Sequence, residues 1–386
     1  MNGKLSTIEI MELMGDCKDG VIFNGLIKSN QIINNPQYRN IMCSISGGSD
    51  SDIVLDICTK LDVNHKIRYV WFDTGIEYQA TKDHLKFLEE KYGIKIIREK
   101  AIKTIPYTAR KVGQPFVSKW VSENIHRLQS YNFQWEDEDF ETLVKRYCKK
   151  ADPEKRKSLD LQWQQGKKPY HWKLVDGEWY SGCVCSLEWW CNTKEESNGK
   201  PSRFCIAQNT WLKEFMIQNP PTFPISAICC KYAKKSVSKK FVKDHEIDLV
   251  LVGIRKAEGG IRATAYKTCY SINNNGVDFH RPIFYYTDET KRNCEQLFGI
   301  THSRCYTEYG MTRTGCAGCP LNMKITEEIK VIGEHEPKLY GAINKIFADT
   351  YEYTRKYREF QKKMKGGDLK HVDGIISSSE GSIKAD

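Results

Sequence analysis

The chain has 386 residues, with 59 Lys and Arg against 49 Asp and Glu, a formal charge of +10 and 40% apolar side chains. That balance suits a folded chain with a sizeable core and excludes global disorder, and no apolar run approaches the roughly 18 residues of a membrane span. The N-terminus lacks a signal-type apolar stretch, so the expected compartment is the reducing cytoplasm, where the 15 cysteines read as thiols, metal ligands or nucleophiles rather than as disulfides.

Residues 1–35 read as an N-terminal helical segment with an apolar stripe through Ile8, Met11 and Leu13, closed by Asn35-Pro36. Ile41 to Ile45 reads as a buried strand running into Ser46-Gly47-Gly48-Ser49-Asp50-Ser51, and Ile53, Val54, Ile57 and Leu61 follow at helical spacing. A second strand, Lys66 to Phe72, ends in Asp73-Thr74-Gly75; a charged helix over 79–92 and a third strand at Lys95-Ile96-Ile97 come next. Strands alternating with helices predict an α/β fold with a doubly wound, mostly parallel sheet, its first part spanning 36–104. Residues 105–224 break the pattern: eight of the nine tryptophans lie there among dense charges, as expected of a Trp- and Cys-rich insertion. The α/β pattern resumes over 225–320 with the strand Ile247 to Ile254, and 321–386 reads as a helical C-terminal region whose tail, from Lys365, is expected to be frayed.

The loop at 46–51 has the chemistry of an anion cradle. Two glycines let the backbone turn tightly, the following helix directs free N–H groups and its positive dipole end at the same point, and Ser46, Ser49 and Ser51 offer hydroxyls. It lacks the Lys of a Walker loop, which disfavours kinase-type phosphoryl transfer.

In this setting Ser46–Ser51 resembles the PP-loop of the ATP pyrophosphatases, a superfamily that includes the phosphoadenosine phosphosulfate reductase family. Tyr69 to Gly75 is similar to that family's second strand and Asp-Thr-Gly, Gly253 to Arg262 resembles its G-x-R-x-x-E-x-x-x-R segment, and Phe116-Val117-Ser118-Lys119 resembles a further element. The resemblance implies an adenine nucleotide alpha hydrolase-like fold. It also implies ATP on Ser46, Gly47, Gly48, Ser49, Asp50, Ser51, Asp73, Thr74 and Gly75, with Asp50 and Asp73 orienting Mg2+ or the ribose, and Asp50, Arg255, Glu258 and Arg262 in catalysis.

Cys229-Cys230 and Cys316-x-x-Cys319 supply four thiolates, enough for a 4Fe-4S cluster, with zinc as the alternative. Adjacent cysteines suit a single tetrahedral ion poorly, whereas a cube of iron and sulfide spreads its attachment points. The set resembles that of the iron–sulfur adenylyl-sulfate reductases and of the iron–sulfur ATP pyrophosphatases of DNA phosphorothioation. The reductases' late nucleophilic cysteine has no counterpart, because no cysteine follows Cys319. The expected function is therefore ATP-dependent adenylation in sulfur transfer to a nucleic acid, DNA or tRNA, with a sulfur donor such as a cysteine desulfurase as partner. The alternatives are a sulfonucleotide reductase and a non-catalytic nucleotide- or nucleic-acid-binding module with a structural metal. Cys183, Cys185, Cys191 and Cys205 read either as a second metal site or as small buried apolar residues. The Lys- and aromatic-rich stretch from Lys167 to Lys173 reads either as a base-stacking surface or as part of an aromatic core.

Overall fold

A computed structural model describes residues 19–194, 204–259, 264–273 and 276–367, with the single positions 8, 9, 12, 196, 199 and 202. Its strands, in chain order, are β1 (Ile41–Ile45), β2 (Ile67–Asp73), β3 (Ile96–Lys100), β4 (Lys149–Lys150), β5 (Trp172–Val175), β6 (Glu178–Ser181), β7 (Leu249–Val252), β8 (Tyr270–Ser271) and β9 (Asp278–His280). The chain divides into two compact units, residues 1–108 with 229–343, and residues 109–228 with 344–386.

The first unit is built on a six-stranded sheet in the order β3-β2-β1-β7-β9-β8, parallel except for the short edge strand β8. Its central strands β1 and β7 are rich in Ile, Val and Leu because both faces are covered. Side chains alternate across the sheet: Ile41, Cys43 and Ile45 enter one buried layer with the helices Gly20–Ile33 and Ser49–Leu61, while Met42, Val70 and Val250 meet Phe241 in the other. Register aligns Ser44 with Val70 on one side and with Val252 on the other, so the carboxyl ends of β1, β2 and β7 finish together. The chain leaves β1 toward β2 and β3, and reaches the other half of the sheet only through β7. The gap beyond β1 and β7 is therefore the topological switch point, where open α/β sheets bind ligands.

The second unit has its own core, in which Phe133, Trp135 and Trp190 meet edge to face with ring centroids 5.4–5.7 Å apart. Its small sheet, β4-β6-β5, contains a hairpin closed by Asp176-Gly177, both with positive φ, as a two-residue primed turn requires. The helix Ala348–Gly367 packs in this unit: the Tyr353 hydroxyl donates to the Asn219 carbonyl and that of Tyr357 to the Thr210 carbonyl, each at 2.7 Å. The region expected as one helical block from 321 is thus shared, since Ile325–His335 belongs to the first unit. Lys365 is helical, and the tail beyond residue 367 lies outside the described residues, as do most of residues 1–18.

Candidate nucleotide pocket and cysteine cluster

The loop after β1 takes its shape from glycine and serine. Gly47 has φ +68, and a Cβ there would lie 2.6 Å from Thr81 Cγ2, so no other residue fits without displacement. Ser51 is the strut that holds the turn: its Oγ accepts from the Gly48 N–H at 3.1 Å, donates to the Gly48 carbonyl at 2.8 Å and accepts the Ser46 hydroxyl at 3.1 Å. This corrects one expectation. Ser51 is buried and its hydroxyl is spent inside the loop, with the Ser46 hydroxyl donated to it, which leaves Ser49 and the backbone amides to face an anion. The amides of Ser49 and Asp50 open the helix Ser49–Leu61, where no carbonyl of the preceding turn can reach them. Across the loop, Tyr306 Oη and Thr314 Oγ1 are 2.9 Å apart and stand 3.3 and 3.4 Å from the position a Gly48 Cβ would take.

Asp50 is doubly ion-paired. Arg255 Nε lies 3.1 Å from both carboxylate oxygens, and Lys291 Nζ lies 2.7 Å from Oδ1 and 2.5 Å from Ser49 Oγ. Arg255 is buried and is also held by Asp288 at 2.8 Å. In this arrangement Asp50 positions two cations beside the loop. Gly253 allows the approach, since a Cβ there would lie 3.0 Å from the Asp50 carbonyl. Asp73 accepts from the Gly75 N–H at 2.9 Å and from Arg98 Nε at 3.0 Å, fixing the turn after β2, and Thr74 donates its hydroxyl to Glu77 at 2.5 Å. Glu258 is exposed on the short turn after Arg255, and Arg262 lies outside the described residues.

Behind the loop, Asp52 is fully buried between two imidazoles, His84 Nε2 at 3.1 Å and His302 Nδ1 at 2.8 Å, and His302 Nε2 lies 2.9 Å from Glu295. Burial alone would lower the His302 pKa; the hydrogen bonds and charges of Asp52 and Glu295 overcome it and raise it to about 9. The imidazolium is a charged brace under the first turn of the loop helix.

At the switch point lies a cavity of about 460 Å³, with Ser44 and Ser46 from the end of β1, Trp71 from β2, Ile254 beyond β7, and Lys234 and Thr314 closing it. Lys234 sits on the helical stretch Lys231–Lys235, directly after Cys229-Cys230. Burial works to discharge it, but Cys316, to which it is hydrogen-bonded, and Glu77 hold its pKa above the ordinary value. Glu77 is itself raised by burial, against the opposing pull of Thr74 and Lys234.

The two cysteine motifs, with 85 residues between them in sequence, share one neighbourhood. The Cys229 thiol is hydrogen-bonded to Cys230 and is pushed up by that bond, by burial and by the charges of Cys230, Cys319 and Cys316. Burial raises Cys316 against the opposing Lys234, and Cys319 is pushed up to about 12, chiefly by burial and against a backbone hydrogen bond from Leu321. The Cys-x-x-Cys turn is pinned from both sides: the Ala317 N–H donates to the Ile76 carbonyl at 3.3 Å and that of Gly318 to Glu328 at 3.1 Å. Cys229 is buried and Cys230, Cys316 and Cys319 are half-buried; thiolates gathered in one neighbourhood repel one another unless a cation compensates them, so the donor set suits a metal centre. Among the described residues no group of three or more His, Cys, Asp or Glu converges as a single metal ion needs. A four-iron cube asks for less convergence, because each thiolate meets a different corner.

The other cysteines have separate partners. Cys183 Sγ lies 3.6 Å from Cys148 Sγ, Cys205 Sγ lies 3.3 Å from the Lys194 carbonyl, Cys191 lies 3.9 Å from the Glu138 carbonyl, and Cys185 is exposed. The four expected as one possible set do not assemble around a common point. Sequence pattern does not point to Lys291, Lys234, Tyr306 or Thr314 as site residues; the one signal for Lys234 is the basic run after Cys230, and the others are brought to the loop by tertiary contacts alone.

Residues 40–168 match the model of the phosphoadenosine phosphosulfate reductase domain. An uncharacterized protein of Methanocaldococcus jannaschii is 37% identical over 97 residues, 23% of this chain and 19% of that protein, so the match spans about a fifth of that relative's length. Three solved structures share a distant likeness. Phosphoadenylyl-sulfate reductase from Candida auris, in a phosphate complex, is 9% identical with TM-score 0.37, covering 81% of this chain and 96% of that one. NH3-dependent NAD synthetase from Campylobacter jejuni is 11% identical with TM-score 0.32 over 87% and 95%. The U34-tRNA thiolase NcsA from Methanococcus maripaludis, with its 4Fe-4S cluster, is 11% identical with TM-score 0.34 over 88% and 80%. Residues 40–168 thus carry a segment similar to the phosphoadenosine phosphosulfate reductase domain. No described helix is long and apolar enough to cross a membrane.

Proposed function

We propose that this protein is an ATP-dependent adenylating iron–sulfur enzyme that serves sulfur transfer to a nucleic acid. The observation that carries the reading is Lys234, which lines the cavity at the phosphate loop and is hydrogen-bonded to Cys316, so the nucleotide pocket and the four-cysteine neighbourhood share a wall. The cavity's apolar side, Trp71 and Ile254, suits an adenine ring, and its polar side, with Ser44, Ser46, Thr314 and Lys234, suits a triphosphate.

In this reading an acceptor oxygen attacks the α-phosphorus of ATP, the bond to the bridging oxygen breaks, and pyrophosphate leaves. The acceptor is then an adenylate, whose C–O or P–O bond a sulfur nucleophile breaks as AMP departs. The loop amides stabilise charge developing on the phosphates, and Arg255 and Lys291, oriented by Asp50, add fixed positive charge beside it. Lys234 places an ammonium between the phosphates and the thiols. Mg2+ would neutralise part of the triphosphate charge. Cys229, Cys230, Cys316 and Cys319 would hold the 4Fe-4S cluster, which when bound supplies iron for sulfur ligation or electron transfer. The sulfur donor in this scheme is a persulfide-bearing partner such as a cysteine desulfurase: its outer sulfur bonds to the acceptor as AMP leaves, and an added thiol reductant then cleaves the S–S bond, leaving the sulfur on the acceptor and the donor cysteine in a mixed disulfide with that thiol.

The test is pyrophosphate release from ATP by anaerobically purified protein, with single-stranded DNA, duplex DNA and tRNA as acceptors. Nucleic-acid-dependent release that is lost in S46A and D50A supports the reading. Thioredoxin-dependent reduction of adenylyl sulfate, or full biological activity in S46A and D50A, would replace it with the reductase or the non-catalytic module.

A further inference from the structure

The second unit carries a surface that the pocket chemistry leaves unused. Residues 149–173 hold eight Lys and Arg against three Asp and Glu, half of the chain's net charge of +10 in 25 residues. The segment comprises β4, the helix Pro153–Gln164, the loop after it and β5. Large apolar side chains face solvent among these cations: Tyr170 is 83% exposed, Leu161 56%, Trp163 52% and Leu174 47%.

These side chains stand on a fixed platform. Trp179 of β6 is buried, and its indole N–H donates to Asp160 at 2.7 Å. Trp163 rests edge-on against it, with ring centroids 5.9 Å apart and planes at 71°. Leu174 is directly opposite Trp179 in the hairpin register, so both side chains lie on one face of the sheet, and Trp172, two residues before Leu174, shares it. Lys155 Nζ stands 5.9 Å from the centroid of the Trp172 ring, and the Tyr170 ring lies 3.8 Å from that of His171.

Several of the cations are committed: Arg156 and Lys150 to Glu178, and Lys173 to Glu188. Lys149, Lys155, Lys157, Lys167 and Lys168 form no ion pair among the described residues. An apolar protein partner would have to desolvate these ammonium groups, and Lys is depleted in the cores of protein interfaces for that reason. A polyanion with flat apolar faces satisfies both halves of the surface.

We propose that this face, the helix Pro153–Gln164 with the β5–β6 hairpin, binds single-stranded nucleic acid. Trp163 and Tyr170 stack unpaired bases, and Lys155, Lys167 and Lys168 meet the phosphates. A duplex hides its base faces, so it gains only the charge contribution. The inference rests on the reading of a nucleic acid as acceptor and names the form in which this chain holds it.

The experiment is fluorescence anisotropy of the full-length protein with labelled 12-nucleotide dT and dA strands and a duplex of the same length, without ATP. W163A/Y170A is expected to bind strands at least tenfold more weakly at an unchanged melting temperature, as substitution of two exposed side chains permits. K167Q/K168Q is expected to make the log Kd against log salt slope shallower by roughly 1.4, at about 0.7 for each phosphate of a single strand that is no longer neutralised. Unchanged affinity in W163A/Y170A, preference for the duplex, or a protein bound at this face that strands fail to displace would each overturn the proposal. Strand binding through these residues without any pyrophosphate release would sink the enzymatic reading and leave this surface standing. Nucleic-acid-dependent release with strand affinity unaltered by W163A/Y170A would do the reverse.

Discussion

The His302 brace makes the first unit's stability pH-dependent in a direction the structure fixes. His302 bridges buried Asp52 and Glu295, and its pKa is raised from 6.5 to about 9. A group whose pKa is higher folded than unfolded stabilises the fold fully below the unfolded value, and that contribution is lost as pH rises through the folded one. The window is therefore pH 6.5 to about 9. At ~1.4 kcal/mol per pH unit the rise corresponds to about 3 kcal/mol, an upper figure because the side chain is still 15% exposed and Asp52 keeps His84 when His302 is gone. In a domain of this size that is on the order of 6–12 °C in melting temperature. H302Q keeps a hydrogen-bonding side chain but no charge. Differential scanning calorimetry across pH 6 to 10 is expected to show wild type well above H302Q at pH 6, with the two curves converging near pH 9.5. Subtracting the variant removes the Lys, Tyr and Cys titrations common to both. A wild-type advantage that stays constant from pH 6 to 10 would refute the imidazolium brace.

Three further outcomes follow from the loop and its surroundings. G47A meets Thr81 Cγ2 at 2.6 Å from a backbone with φ +68 and should abolish ATP binding in calorimetric titration, whereas G93A, also at positive φ but with open space around it, should cost only about 1 kcal/mol of stability and leave ATP binding intact. K291A frees one side of Asp50 and removes a cation beside Ser49, so the KM for ATP should rise at least tenfold while the fold, read by circular dichroism, persists; an unchanged KM would exclude Lys291 from the site. K234M fills the same space without charge, and because Lys234 opposes the upward shift of Cys316, alkylation of that thiol in apoprotein should slow at pH 8, as followed by peptide mass spectrometry.

The sequence makes four strands of the sheet legible, because β1, β2, β3 and β7 are short runs carrying Ile, Val or Leu that local pattern marks, whereas β8 (Tyr-Ser) and β9 (Asp-Phe-His) carry no such run and are not read from it. The cradle at Ser46–Ser51 and the turn at Asp73–Gly75 are legible for the same reason, being contiguous. What pattern does not supply is contact at long range. Lys291 lies 241 residues from Asp50, and Tyr306 reaches the loop only because the turn at Thr314 holds it there. Ser51 shows a subtler limit: a hydroxyl in a phosphate-binding motif looks like a ligand donor until the turn it braces is visible. The tryptophans of the insertion divide in a way that composition does not reveal. Trp135, Trp189 and Trp190 belong to the core of their unit, while Trp163 stands half exposed on a helix that also carries Lys155, Arg156 and Lys157. Residue type and spacing single out the two cysteine motifs as a candidate set; nothing in the pattern singles out the lysine that lies between Cys316 and the pocket.

The central claim is that Cys229, Cys230, Cys316 and Cys319 act as one metal-binding unit beside the nucleotide pocket. Iron and acid-labile sulfide analysis of protein purified and reconstituted without oxygen tests it most directly. The expected result is about four of each per chain in wild type, falling to near zero alike in C229S/C230S and in C316S/C319S. Iron-free wild type under those conditions, or a full complement of iron surviving in either double variant, would contradict it.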